Sequence, residues 1–247
     1  IYSTKYPWLP PIIDDVKEQM ENKDFYQHKT AVAILVYKES ELVARAVFYD
    51  DSTSRFKTTG FFGHWETIDN IDITRALFHE GKKWLKERGK TKLLGPINFN
   101  IFNGLRLLVD EHQSPAIYRE ARNPIYYNEH LKALGMKEDG LWDLRSINHQ
   151  QIDHLEKIAE EIYLKRARPH FKSHFYRSSE LDEFFFPIFR EVLQKRVKES
   201  YFSKISINEF EASLRTLFRI NRSEQVLVIN ENRELLGLCL THFDYAP

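Results

Sequence analysis

Ile73-Thr74-Arg75-Ala76-Leu77-Phe78-His79-Glu80-Gly81-Lys82-Lys83-Trp84-Leu85-Lys86-Glu87-Arg88-Gly89, followed after Lys90 by Thr91-Lys92-Leu93-Leu94-Gly95-Pro96-Ile97, is the stretch on which the fold turns. Ile73, Leu77, Trp84 and Leu85 fall on one face of a helix over Ile73 to Arg88. Asp72 is placed to cap its start, and Gly89 stands where a helix C-terminus favours glycine. The short apolar run from Thr91 to Ile97 reads as a buried strand, parallel to the strand that precedes the helix. Strand, helix and parallel strand in this order require a sheet with helices packed on it, so the fold class is α/β (α+β).

Upstream, Thr30 to Tyr37 and Leu42 to Tyr49 are apolar runs joined by Lys38-Glu39-Ser40-Glu41, a hairpin pattern. Arg55 to Glu66 is aromatic and β-branched, a third strand, and Ile12 to Gln27 carries Ile13, Val16 and Met20 at helical spacing. Downstream, Tyr126 to Leu134 is a short helix ended by Gly135, and Trp142 to Ile147 is a strand that closes a first unit, residues 1–147. Residues 148–178 read as a helical and basic linker, with a helix from His149 to Tyr163 and a cationic, aromatic run from Lys165 to Arg177. Residues 179–247 hold a helix over Ser179 to Lys198, bent near Pro187, then a helix opening at Ser206 with Glu209 in capping-box spacing. They end in a second hairpin, Gln225 to Ile229 and Leu235 to Phe243. Laid on the first hairpin without gaps, Val36 matches Ile229, Glu41 matches Glu234, Leu42 matches Leu235 and Ala44 matches Gly237, a pattern that an internal repeat with its second copy cut in half would give and that any two hairpins also share.

The 247 residues are 42% hydrophobic, 14% aromatic and 29% charged, enough to build one large or two ordinary domains and too apolar for a disordered tail. Lys plus Arg and Asp plus Glu each number 36, so no net field draws the chain to nucleic acid or to an anionic membrane. The longest apolar stretch, Ala31 to Tyr37, is far short of the roughly 20 residues of a membrane span. The single Cys239 has no disulfide or thiolate-site partner, which fits a reducing compartment, and the expected location is the cytoplasm. The chain opens on Ile1, so the expectation is a piece of something longer.

Gly95-Pro96-Ile97-Asn98-Phe99-Asn100, Gly104 with Leu107-Leu108-Val109-Asp110, Asn123-Pro124-Ile125-Tyr126-Tyr127 and Leu134-Gly135-Met136, on this element order, resemble a bacterial group of tandem GNAT acyltransferases. In that group a degenerate first domain precedes a second that carries the acyl-CoA site. Tyr201-Phe202, Ser206 to Phe210, and Leu235-Leu236-Gly237-Leu238 through Asp244 resemble the start of the second domain. The resemblance implies a GNAT-like mixed sheet flanked by helices, followed by a partial second GNAT-like unit. It also implies acyl-CoA as co-substrate and a small-molecule or peptide amine as acceptor; no metal is expected.

Each expected site residue has a functional and a structural reading. A GNAT-fold pyrophosphate site needs spaced glycines at the start of the βαβ helix, whose amides and dipole hold the anion. Here the segment is Glu66-Thr67-Ile68-Asp69-Asn70-Ile71-Asp72, without glycine and with two carboxylates at the helix start, so the first unit is expected not to bind acyl-CoA in the usual way. By resemblance Tyr127 stands where the family's acid protonates the leaving thiolate; the aromatic richness of the chain favours a core tyrosine instead. Glu66, at the end of the third strand, is the best-placed base, or a solvated strand-end carboxylate. Asn98, Asn100 and Asp110, just beyond the βαβ strand, are placed to orient a substrate or to hold a turn, and Tyr126 stands beside Tyr127 as a further substrate contact. His170 and His174 have helical metal-ligand spacing but no third partner.

The expected function is therefore part of an N-acyltransferase that moves an acyl group from acyl-CoA or an acyl carrier protein to an amine, the first domain being structural or substrate-gating. A non-catalytic GNAT-fold scaffold is the alternative, and nucleic-acid binding through Lys165 to Arg177 ranks behind both. No membrane partner is expected, while an uncovered edge on a halved second sheet would tend to associate, which makes a homodimer an expected state.

Overall fold

The computed structural model describes residues 13–21, 23–100, 102–114, 120–141, 148–162, 165, 206 and 208–213, and the backbone of 171–176, 225–230 and 235–240. Helix α1 (Ile13–Glu21) and a 3-10 turn (Lys23–Tyr26) lead into β1 (Lys29–Lys38), β2 (Glu41–Asp51) and β3 (Thr59–Thr67). Helix α2 (Ile71–Lys86), β4 (Lys92–Leu94) and α3 (Tyr126–Ala133) follow. The sheet order is β1-β2-β3-β4. The first three strands pair antiparallel, and β4 runs parallel to β3 with Thr59 opposite Lys92 and Phe61 opposite Leu94. The crossover read from residues 73–97 is the one observed, and the sheet is mixed.

The start of α2 differs from the sequence expectation. Asn70, not Asp72, is the cap, because its backbone is extended while its side chain reaches the Asp72 and Ile73 amides, so the helix begins at Ile71. Its other end is as expected: Gly89 takes φ 73°, and the amides of Gly89 and Lys90 close on the carbonyls of Lys86 and Leu85. The single helix expected over 12–27 is shorter, since α1 stops at Glu21 and a 3-10 turn follows.

Both faces of the central strands β2 and β3 are covered, while β1 is partly exposed. Thr74, Leu77, Phe78, Gly81 and Leu85 form the inner stripe of α2, and Phe48, Phe62, Trp65 and Tyr127 meet it. Phe62 and Phe78 rings lie 5.0 Å apart, edge to face. A Cβ at Gly81 would come within 2.3 Å of the Phe48 ring, so only glycine lets α2 lie this close. On the opposite face Val47, Tyr49, Phe61, Ile97 and Phe99 pack with Met20, Tyr26 and Ala212. Covering on both sides explains why β3 reads as an almost unbroken buried run rather than an alternating one.

The chain divides into two compact units. The first holds Ile1–Lys137, Leu193–Leu217 and Asp244–Pro247; the second holds Glu138–Val192 and Phe218–Phe243. The second contains α4 (His149–Ile162) and a sheet of order β5-β6-β7, formed by β5 (Phe171–Tyr176), β6 (Gln225–Asn230) and β7 (Leu235–Leu240). The hairpin read from Gln225 onward is thus present, and β5 falls within the basic stretch read as linker. The strand expected at Trp142 to Ile147, the helix at Ser179 to Lys198 and the side chains of His170 and His174 lie outside the described residues.

Candidate functional site

β4 pairs with β3 only as far as Phe61, which leaves the rest of that β3 edge to be satisfied by other groups. The Ile97 amide donates to the Phe62 carbonyl at 2.7 Å, and the His64 amide donates to Asn98 Oδ1 at 2.6 Å. At the strand end the Thr67 amide donates to the Tyr127 hydroxyl at 3.0 Å, while the Tyr126 hydroxyl donates to the Thr67 carbonyl at 2.9 Å. A loop and two α3 tyrosines therefore stand in for the missing partner strand. The approach at Gly63 is so close that a Cβ there would sit 2.0 Å from the Ile97 carbonyl oxygen. The β2–β3 register shifts next to it, between Arg45 and Val47, and His64 takes φ 47°.

The expected site residues separate into two groups. Glu66, Asn98, Tyr126 and Tyr127 gather along the end of β3. Glu66 pairs across the ladder with Arg45 at 2.9 Å, both side chains partly exposed. Tyr127 is buried, its ring 4.5 Å from that of Trp65, with its hydroxyl on the Thr67 amide. Asn100 and Asp110 stand apart from them. Asn100 is buried, accepts the Phe102 and Asn103 amides, and donates to Glu209 Oε1 and Ser213 Oγ, both at 3.1 Å. Asp110 lies at an exposed bend.

Two groups were not among the expected site residues. His64 is buried, its Nε2 has no protein partner among the described residues, and burial, followed by the Arg45 charge, lowers its pKa to about 3. Its one signal in the sequence was a Gly-His pair inside a strand, since glycine there marks a bulge or a close approach. The other group is a buried ion cluster. Lys29 Nζ donates to Glu209 Oε1 at 2.7 Å and lies 3.8 Å from Asp51 Oδ2, with His28 Nε2 at 2.9 Å. Burial, then the Lys29 charge, lowers the His28 pKa against the opposing pull of Asp51 and Glu209. Tyr49 is pushed well up by its own burial and by the same two carboxylates. Ser206 does cap the Glu209 amide, at 3.0 Å, as the capping-box spacing predicts, but the Glu209 carboxylate goes to Lys29.

No protein-family profile matches the chain. A tandem GNAT protein from the clavulanic acid biosynthesis pathway, solved without AcCoA, superposes with a TM-score of 0.51 over 95% of this chain and 65% of its own, at 10% identity. The chain has the GNAT fold. Two curated proteins are also similar in sequence. Protein YghO of Escherichia coli is 29% identical over 141 residues, 54% of this chain and 36% of that protein. The bacterial ceramide synthase of Caulobacter vibrioides is 24% identical over 168 residues, 66% of this chain and 43% of that protein. The chain thus spans well under half the length of either curated relative.

In a GNAT fold the helix after the third strand here, α2, is where acyl-CoA pyrophosphate would be sought, and the residues present do not fit it. The Asp72 and Ile73 amides, which an anion would use, already donate to Asn70 Oδ1 at 3.0 and 3.2 Å. Asp69 and Asp72 stand exposed on either side and would repel a phosphate. Among the described residues no group of three or more His, Cys, Asp or Glu side chains is placed to hold a metal ion, and no helix is long and apolar enough to cross a membrane.

Proposed function

We propose that the chain is part of a GNAT-type N-acyltransferase that moves an acyl group from an acyl-CoA or acyl-carrier thioester to an amine. The first unit would serve as a structural or substrate-gating partner, and acyl-CoA would bind elsewhere in the longer protein. The observation that carries this reading is the GNAT fold combined with an α2 N-terminus capped by its own Asn70. The similarity to a bacterial ceramide synthase supports an amine acceptor with a long alkyl chain, because a ceramide is the amide of a long-chain amino alcohol. Tyr127 and Glu66, the expected acid and base, are in this reading tied to the Thr67 amide and to Arg45, and serve the shape of the β3 end. A cytoplasmic location and a homodimer remain part of the proposal.

The test is acyl transfer by the longest chain its gene encodes, with acetyl-CoA and palmitoyl-CoA as donors and sphinganine or a short peptide amine as acceptor. Amide formation that survives Tyr127→Phe in that chain supports the reading. Absence of transfer with every donor and acceptor pair favours the scaffold.

A further inference from the structure

The two edges of the first sheet are finished differently. Beyond Phe61 the free side of β3 is closed by the Ile97 amide, the Asn98 side chain and the hydroxyls of Tyr126 and Tyr127. At the other edge β1 has β2 as its one partner strand among the described residues. From Thr30 to Tyr37 it carries no charge, proline or glycine, the devices that keep an edge strand from pairing with another chain. A bulge does not protect it either. Val36 faces Ala44 and Tyr37 faces Leu42, so the extra residue, Val43, is on β2 and β1 itself runs regular.

The side chains of β1 alternate in a way that fits a second copy of the same strand. Val32, Ile34 and Val36 pack on the α2 cluster, whereas Ala33, Leu35 and Tyr37 lie on the opposite side and are exposed, Leu35 by 50% and Tyr37 by 57%. A two-fold axis through an antiparallel pair sets one residue opposite itself. With Ile34 on the axis, Leu35 faces Ala33, Tyr37 faces Ala31 and Val36 faces Val32. On the exposed side each large side chain then meets a small one, and Lys38 falls opposite Thr30. Moving the axis to Ala33 sets Lys38 against His28 and Tyr37 against Lys29; moving it to Leu35 sets Lys38 against Val32 and Glu39 against Ala31. Of the three, the Ile34 register alone keeps charge out of the apolar pairs.

We propose that β1 is a self-association edge: two copies of the chain pair antiparallel through β1, with the two-fold axis at Ile34, and join their four-stranded sheets into one continuous sheet. This places the contact on the first sheet rather than on the second, and it does not rest on the acyltransferase reading.

The test is sedimentation velocity of the 247-residue chain from about 1 to about 100 μM, starting at the weak end of the affinities that ordinary interfaces reach. Leu35→Lys and Tyr37→Lys are run beside it. Both positions are exposed, so the lysine is compatible with the fold of one copy, checked by near-ultraviolet circular dichroism of the aromatic core. In the pair, each substitution enters the interface twice. The wild-type chain is expected to pass from monomer to dimer with concentration, and either variant to raise the dissociation constant at least about tenfold. Leu155→Lys, at an equally exposed leucine on α4, is expected to change nothing. The register is read from the distance between nitroxide labels on Lys38→Cys in a Cys239→Ser background. It is expected at about 26 Å for the axis at Ile34, against about 20 Å for Leu35 and about 33 Å for Ala33. Should a lysine variant fail to fold, the wild-type series and the label distance decide. A chain that stays monomeric across the range, a dimer that both folded lysine variants leave intact, a dimer lost on Leu155→Lys alone, or a label distance matching another register would overturn the proposal.

Discussion

The two faces of the first sheet are built by opposite means. Toward α2 the contact is aromatic and aliphatic, with Phe48, Phe62, Leu77 and Phe78 fully buried. On the other face the apolar cluster around Phe99 is interrupted by His64, by Asn100, and by Lys29 with Glu209. An apolar face tolerates loss in proportion to the volume removed, whereas a face holding buried charge depends on each partner being present. The α2 face fixes which elements pack together. The opposite face recruits residues 208–213 to the first unit and carries the strained histidine.

The largest effect expected from breaking this contrast is on the apolar side. Phe78→Ala should cost about 4 kcal/mol, read by chemical denaturation, because the ring meets Phe48, Phe62 and Trp65 at once. On the polar side Glu209→Gln should cost about 3 kcal/mol, since Lys29 stays buried with Asp51, at 3.8 Å, as its one remaining carboxylate neighbour among the described residues. A Lys29→Met, Glu209→Leu double variant should recover part of that loss, and the difference between the cycle's arms measures the coupling.

Smaller effects sharpen the picture of the β3 end. Tyr127→Phe removes the acceptor of the Thr67 amide and should cost about 1.5 kcal/mol, with faster hydrogen exchange at Thr67. The pH dependence isolates His64. Its pKa falls from 6.5 to about 3 on folding, so between those values the unfolded chain binds the extra proton and stability falls as the pH falls. Relative to His64→Gln, the wild-type chain should lose up to about 1.4 kcal/mol per pH unit across this window, measured by urea denaturation at successive pH values.

These faces also differ in how much of them the sequence disclosed. The hairpin, the βαβ crossover and the inner stripe of α2 follow from periodicity, because Leu77 and Leu85 recur at helical spacing and Gly89 ends the run. The cap was misread by two residues, since Asn70 and Asp72 are both good capping types and only backbone geometry chooses between them. Of the site, Glu66, Asn98, Tyr126 and Tyr127 were each singled out because they lie near strand and helix ends. The sequence, however, set Asn98 with Asn100 and Asp110, and only the fold brings Asn98 to the β3 end while Asn100 and Asp110 stand apart. Lys29 and Glu209 were not legible as a pair, because they are 180 residues apart and nothing local marks the pairing. His64 was hidden because its setting, beside the close approach of Ile97 and Asn98 to Gly63, is a contact between distant segments.

The central claim, put forward as a proposal, is that the first unit of this GNAT-fold chain does not itself hold a thioester donor. Isothermal titration of the 247-residue chain with acetyl-CoA and palmitoyl-CoA tests it most directly. The capped α2 terminus and the tyrosine-closed β3 edge predict no saturable heat with either. Saturable binding near one equivalent, weakened by substitutions at Asn70 or Tyr127, would contradict the account.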